Sequence, residues 1–216
     1  MREYLITGLV VVIFIGCSSN ISENITNKKE FEGSITYKTI LESKSPYIST
    51  KTLQSLYGDT MTLYIKNGNY KMTFNGDDVK EIYYLNDKNN QYTVRRGIDT
   101  LFVFSCDSDI NQLVSSEMQP GTEKILNRQC RQLINNLGKI KNHYWFDPSV
   151  YINPDPFKKH KFGYVNIFYE KAQSVWLKYR YEGVNYNLTH TALKINEMIL
   201  NDTIFKLPNL PEGSLE

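Results

Sequence analysis

The chain has 216 residues, and its 25 Lys and Arg side chains nearly balance 23 Asp and Glu, for a formal net charge of +2. Such a balance produces no strong positive field, which excludes nucleic acid as a predicted partner. The length allows one domain with a sizeable core, or at most two small ones. Tyr and Phe are abundant, at 16 and 10 residues, and their spread along the chain favours β-strands.

The N-terminus has the pattern of an export signal. Arg2 precedes an apolar run over residues 5–15, which is too short to span a bilayer and is typical of a signal peptide. The run ends in Gly16-Cys17, which resembles the lipobox of bacterial lipoproteins, with Phe14 where leucine is usual. The resemblance implies cleavage after Gly16 and acylation of Cys17, which anchors the chain stably to a membrane. The alternative is an ordinary cleaved signal peptide with an incidental cysteine.

Composition then divides the rest of the chain. Residues 18–30 are rich in Ser, Asn, Glu and Lys and predict a flexible tether. The predicted segments are a signal peptide (1–16), a lipidated cysteine with its tether (17–30), a single β-rich domain (31–210) and a tail (211–216). Ser18 rather than aspartate follows the cysteine, a pattern that in enterobacteria implies sorting to the outer membrane. We therefore expect an envelope protein on the outer membrane, facing the periplasm.

The domain begins with alternating strands. Ile35, Tyr37 and Thr39 alternate with polar residues, which is the pattern of a half-buried strand. Turn sequences such as Asn67-Gly68 then recur every eight to twelve residues and predict an antiparallel meander.

Later segments are less regular. Helical spacing within residues 43–57 predicts a short helix or a covering loop. A second short helix is predicted within residues 107–119, capped by Ser108 or Asp109. Strands are predicted over 164–169, 175–181 and 186–200, the last of them bent.

The order of these pieces resembles a family of exported Bacteroidota lipoproteins of unknown function, whose fold is like that of the LolA and LolB carriers of outer-membrane lipoprotein sorting. The resemblance rests on residues 31–37, 58–66, 125–130, 194–196 and 202–208. Where the family usually has a glycine before the cysteine strand, this chain has Asn127. The resemblance implies a mainly β fold: a strongly curved antiparallel sheet forming a half-open barrel, with one or two short helices or loops as a lid. In the better-known relatives the apolar concave face holds acyl chains.

No catalytic or metal-binding motif accompanies this fold. His143, His160 and His190 are not spaced as metal ligands, and no nucleophile motif or phosphate-binding glycine loop occurs. We therefore predict no enzymatic activity, no cofactor and no metal. His160 lies in the basic segment 158–161, which predicts either a solvated turn or a small patch for anionic lipid headgroups.

Two cysteines remain after lipidation of Cys17. Cys106 and Cys130 can form a disulfide in an oxidising compartment, but sequence does not give their distance, so the pairing stays open.

The apolar face of the sheet is the candidate site. The predicted ligand-lining residues are Tyr37, Leu63, Met72, Phe74, Phe104, Trp145 and Trp176. One hypothesis is a non-enzymatic lipoprotein that binds a lipid, an acyl chain or another hydrophobic ligand in its concave face. The other is an interaction or scaffold lipoprotein that docks another envelope protein and holds no small ligand. An apolar cavity under the sheet would favour the first, and a filled core with an exposed patch or free edge the second.

Overall fold

A computed structural model gives the structure of residues 28–214, so the predicted signal peptide, Cys17 and most of the tether lie outside the described residues. Twelve strands and two short α-helices form this part of the chain. The elements are β1 (Gly33–Ser43), α1 (Thr50–Tyr57), β2 (Thr60–Lys66), β3 (Asn69–Phe74), β4 (Val79–Leu85), β5 (Asn90–Arg95), β6 (Leu101–Ser105), β7 (Ser115–Ile125), β8 (Arg128–Asn136), β9 (Lys141–Tyr151), α2 (Val165–Ala172), β10 (Ser174–Glu182), β11 (Tyr186–Glu197) and β12 (Glu212–Ser214).

All twelve strands belong to one sheet, in the order β12-β6-β5-β4-β3-β2-β1-β11-β10-β9-β8-β7. Neighbours run antiparallel except β6 and β12, which are parallel and bring the predicted tail into the sheet. The end strands β12 and β7 do not pair with each other within the described residues, so the curved sheet stays open. The predicted fold class, mainly β with a curved, unclosed sheet and short helices, is confirmed, although the sheet is mixed rather than wholly antiparallel.

The curvature has local causes. The register between β1 and β11 shifts between Thr36 and Tyr37, which leaves Leu193 as an extra residue opposite β1. Further shifts interrupt the pairing of β9 with β10 and of β7 with β8. Because a bulge bends the strand that carries it and increases its twist, these shifts curl the two halves of the sheet. The bend predicted within residues 186–200 thus lies at Leu193.

The strands alternate as the sequence predicts. In β1, Tyr37 and Leu41 are buried while Lys38 and Glu42 are exposed. The buried side chains of the central strands form the main core on the concave face. A smaller cluster on the other face of β4 to β6 packs against Leu207 from the C-terminal segment.

The first helix was expected from the spacing of its apolar residues. Before α1, the Ser49 hydroxyl accepts a hydrogen bond from the backbone N–H of Thr52 (3.0 Å) and thereby caps the helix. Gly58 then ends it with φ 79°, in the left-handed region that glycine adopts without strain. Among residues 28–214, no helix is long and apolar enough to cross a membrane.

The helix predicted within residues 107–119 is wrong. The chain is irregular before β7 begins at Ser115, and Ile110 is 97% exposed, so this segment has no buried apolar face to stabilise a helix. The carboxylate of Asp109 instead accepts hydrogen bonds from the backbone N–H groups of Asn111 and Gly163, each at 2.6 Å. A side chain predicted to cap a helix therefore fixes a turn and docks a neighbouring loop.

The strand predicted over residues 164–169 is also wrong, because this segment forms α2. Val165, Phe168, Tyr169 and Ala172 recur at the i, i+3, i+4, i+7 spacing of one helix face, and the last three are buried. The β-favouring composition of the segment concealed this spacing.

Candidate functional site

A cavity of about 230 Å³ lies on the concave face of the sheet, between the two curled halves and under α2. Its sheet wall is formed mainly by Leu63, Met72, Phe74, Ile82, Trp176 and Leu188. Its cover is formed by Phe162, Val165, Phe168 and Tyr169, and Tyr57 from α1 contributes at the rim. None of the described residues that line the cavity carries a charge at neutral pH. The site is therefore an open, mainly apolar cavity suited to an apolar molecule.

Helix α2 is held over the cavity by stacked aromatic rings. Phe168 stacks on Tyr144 of β9 with ring centroids 4.3 Å apart, and Tyr169 stacks on Phe157 at 3.8 Å. The residues that flank α2, Tyr164 and Gln173, both have left-handed backbone angles, with φ of 53° and 45°. These sharp turns at both ends let an eight-residue helix cross the mouth of the curved sheet.

The floor of the cavity is also aromatic. Tyr37 and Trp176 pack with ring centroids 4.4 Å apart, and the Tyr37 hydroxyl donates to the Trp176 carbonyl at 2.7 Å. This bond ties β1 to β10 across β11, and the Trp176 ring lines the cavity.

Four polar side chains of the lining bind one another in two pairs. The Tyr179 hydroxyl donates to Oδ1 of Asn142 at 3.0 Å, and Nε2 of Gln91 donates to the Tyr70 hydroxyl at 2.5 Å. Nδ1 of His190 lies 2.9 Å from Oγ1 of Thr39, the residue opposite it on β1. The hydroxyls of Tyr57, Tyr144 and Tyr169, the Trp176 indole and one nitrogen of His190 are the other polar side-chain groups of a lining that is mainly apolar.

Burial keeps these titratable groups neutral. It lowers the pKa of His190 to about 4 and that of His160, behind Tyr70, to about 3, because desolvation disfavours the imidazolium. Burial likewise raises the pKa of Tyr144 and of Tyr169 far above the usual value for tyrosine. At neutral pH the site thus contains neutral imidazole and phenol groups.

The structure brings four of the seven predicted ligand-lining residues to the cavity wall: Leu63, Met72, Phe74 and Trp176. Tyr37 lies behind Trp176 in the floor. Phe104 does not line the cavity but packs on the covering residue Phe162, with ring centroids 4.6 Å apart. Trp145 points to the other side of β9, where Nζ of Lys178 lies 4.6 Å from its ring centroid.

Sequence reasoning missed several residues of the site. Tyr144, Tyr179 and His190 line it, as do the residues of α2. The helical spacing in α2 could have been found in the sequence. The other three depend on which face of β9, β10 and β11 turns inward, and bulges in these strands make that face hard to predict.

The disulfide that the sequence left open is not formed in the structure, since Cys106 and Cys130 are both free and buried. The reason is topological: Cys106 follows β6, next to one end of the sheet, whereas Cys130 lies on β8, next to the other. Burial raises the pKa of Cys106 to about 12 and also raises that of Cys130.

The predicted solvated turn at His160 is wrong for the imidazole itself. His160 is fully buried, with Nε2 3.0 Å from the Tyr70 hydroxyl, while Lys159 and Lys161 beside it are exposed. His143 is half-buried on the outer face, 3.4 Å from Glu182. Within residues 28–214, no three His, Cys, Asp or Glu side chains are arranged to hold a metal ion.

Comparison with known proteins adds no family assignment. No protein-family model and no curated protein matches the chain, so the resemblance to the Bacteroidota family stays a prediction. PNGF-II is similar over 86% of this chain and 32% of its own, with a TM-score of 0.46 and 11% identity. The Mycobacterium tuberculosis lipoprotein LppX is similar over 79% of this chain and 90% of its own, with a TM-score of 0.37 and 12% identity.

The chain spans about a third of the length of PNGF-II. Superpositions with these TM-scores support no functional inference, so any inference about function depends on the cavity.

Proposed function

We propose that this chain is a non-enzymatic envelope lipoprotein that binds a hydrophobic ligand in the cavity between its concave sheet and α2. The observation that supports the proposal is the cavity itself, whose volume is about 230 Å³ and whose described lining is uncharged. An engineered apolar cavity of about 150 Å³ binds benzene, whereas sites for drug-sized ligands occupy about 300–1,000 Å³. The site therefore suits one alkyl chain or a small ring system rather than a whole phospholipid.

The lipid on Cys17 supplies the membrane attachment in this proposal. Residues 17–28 connect the anchor to the start of the described chain, and fully extended they span about 40 Å. The domain therefore stays within about that distance of the membrane and can take up ligands that dissolve in it. We place the protein on the outer membrane, facing the periplasm, because Ser18 follows the cysteine.

One observation favours the interaction hypothesis as a second candidate. Strand β7 is 11 residues long, and within the described residues it pairs only with β8, so its other edge is free. Ile110 and Val114 precede it and are 97% and 66% exposed. A free edge beside exposed apolar side chains suits strand addition by another envelope protein.

Native mass spectrometry of the mature chain from residue 17, carrying Cys17→Ser so that it stays soluble, distinguishes these functions. The chain is expressed in the periplasm, purified gently and sprayed with and without added medium-chain lipid. In the chain with no substitution in the cavity, we expect an added mass that corresponds to a bound hydrophobic molecule. We expect it to disappear in Met72→Trp, because Met72 lies between Leu63 and Ile82 in the sheet wall and the larger indole fills the space in front of them.

Thr73→Trp is the matched control. Thr73 is the next residue of the same strand and points to the opposite face, where it pairs with Thr62 and Glu81. It should keep the ligand. A chain that neither co-purifies with a hydrophobic molecule nor takes one up would refute the carrier proposal and favour docking through β7.

A further inference from the structure

The cavity contains a polar group that the apolar ligand model leaves unused. His190 lies among four aromatic rings, those of Tyr37, Phe74, Trp176 and Tyr179, at centroid distances of 6.1–6.4 Å. Its Nδ1 contacts Oγ1 of Thr39 at 2.9 Å, on the buried face of β1 that also carries Tyr37. Nε2 has no hydrogen-bond partner among residues 28–214, and the ring lines the cavity.

The contact with Thr39 gives this imidazole a fixed orientation. Thr39 is itself buried and lies opposite His190 in the pairing of β1 with β11. Because Thr39 engages Nδ1, Nε2 is the ring nitrogen that is available to a ligand in the cavity that His190 lines. Two polar pairs in the lining, Tyr179 with Asn142 and Gln91 with Tyr70, already satisfy each other. The remaining polar side chains are phenols and the Trp176 indole, so His190 carries the lining's imidazole nitrogen, which can accept as well as donate.

The absence of charge sets the class of ligand. No Lys or Arg is among the described residues of the lining, so an ionised headgroup that entered would lose its hydration without gaining a counter-charge. A hydroxyl, ester or amide loses less hydration and needs only one hydrogen bond, which a neutral imidazole can donate or accept according to its tautomer.

We infer that the cavity selects neutral apolar ligands that carry one hydrogen-bonding group, and that Nε2 of His190 binds that group. The inference rests on the proposed function, since it concerns the same cavity. It specifies an alcohol or a neutral acyl derivative and disfavours a free fatty acid, which is ionised at neutral pH. The low pKa of His190, about 4 because of burial, is consistent with a neutral imidazole there.

The test compares three ligands of one chain length: 1-octanol, octanoate and octane. The protein is the mature chain with Cys17→Ser and Trp145→Phe. Of the two Trp residues this leaves only Trp176, whose fluorescence reports on the cavity that it lines. At pH 7.5 we expect 1-octanol to bind at least about tenfold more tightly than octanoate, because the carboxylate would be buried without a partner.

His190→Phe keeps a ring and removes both nitrogens. It should weaken 1-octanol about fivefold, the effect of one hydrogen bond, and should leave octane affinity nearly unchanged. His143→Phe is the matched control, because His143 lies on the outer face of β9 beside Trp145 and not in the cavity. Circular dichroism verifies that each variant is folded, and the ligand comparison needs no substitution at position 190.

Octanoate binding as tightly as 1-octanol would overturn this inference and leave the proposed function in place. Unchanged 1-octanol affinity in a folded His190→Phe variant would overturn the assignment to His190. If none of the three ligands perturbs Trp176 or changes the melting temperature, the proposed function itself is refuted.

Discussion

Lowering the pH from 7.5 to 5 should destabilise the fold, because two histidines are buried in their neutral form. An unfolded chain takes up a proton at each of them near pH 6.5, whereas burial lowers the pKa of folded His190 to about 4 and of folded His160 to about 3. The unfolded state therefore binds more protons than the folded state in this range. Stability is then greatest above pH 6.5 and is lost as the pH falls toward the folded pKa values.

The size of the effect follows from the two shifts. Each group costs about 1.4 kcal/mol per pH unit below 6.5, so at pH 5 each contributes about 2 kcal/mol and together they cost about 4 kcal/mol. That is a large part of the roughly 5–15 kcal/mol by which domains are stable. Burial raises the pKa of Asp147, but hydrogen bonds with Arg128 and Ser149 outweigh it and lower that pKa overall. The stability that such a carboxylate contributes is lost mainly below about pH 4, and so outside this window.

Urea unfolding of the mature chain at pH 7.5, 6.5, 5.75 and 5.0, followed by circular dichroism at constant ionic strength, measures this dependence. The midpoint should fall with pH while the m-value stays constant. His190→Phe should remove about half of the pH dependence, since one of the two main titrating groups is then absent. A midpoint that does not change between pH 7.5 and pH 5 would refute the reasoning and show that both imidazoles are hydrated.

Three further predictions concern helix α2, the turn between β7 and β8, and the two buried thiols. Phe168→Ala should lower the free energy of unfolding by about 3–5 kcal/mol because Phe168 is fully buried on the inner face of α2. Glu170→Ala on the exposed side of the same helix should change it by less than about 0.5 kcal/mol, as urea unfolding would show. Asn127 has φ 59° in the two-residue turn between β7 and β8, so Asn127→Gly should be nearly neutral and Asn127→Val should cost about 1–2 kcal/mol in thermal unfolding. Cys106 and Cys130 should both react with a thiol reagent after unfolding and hardly at all before it, and a chain with no reactive thiols in denaturant would show that they are joined after all.

Much of the sheet could be predicted because its first strands follow simple rules. Strands β2 and β3 are joined by Asn67-Gly68, which predicts the turn. The alternation of apolar and polar residues on either side of it predicts that Leu63, Met72 and Phe74 point to the same face. The same turn chemistry applies at Asn127, because asparagine adopts the left-handed conformation there with little strain.

Strand β9 shows why the rest of the site could not be predicted. It carries aromatic rings on both faces, with Trp145 on the outer face and its neighbour Tyr144 on the cavity face. The sequence alternation therefore does not indicate which face of the strand points inward. The prediction of Trp145 as a lining residue is therefore wrong by one position, because adjacent residues of a strand point to opposite faces of the sheet. The contact of His190 with Thr39 is less predictable still, because it joins residues 151 positions apart through a pairing register that a bulge has shifted.

The open cavity also bears on the choice between the two functions. The cavity keeps apolar side chains such as Met72 and Ile82 facing an open space instead of packing them against other side chains. A scaffold protein gains nothing from such a wall, because larger side chains at Met72 or Ile82 would fill the space without disturbing β7. In a binding protein the ligand covers this apolar surface, so its burial provides the free energy of binding.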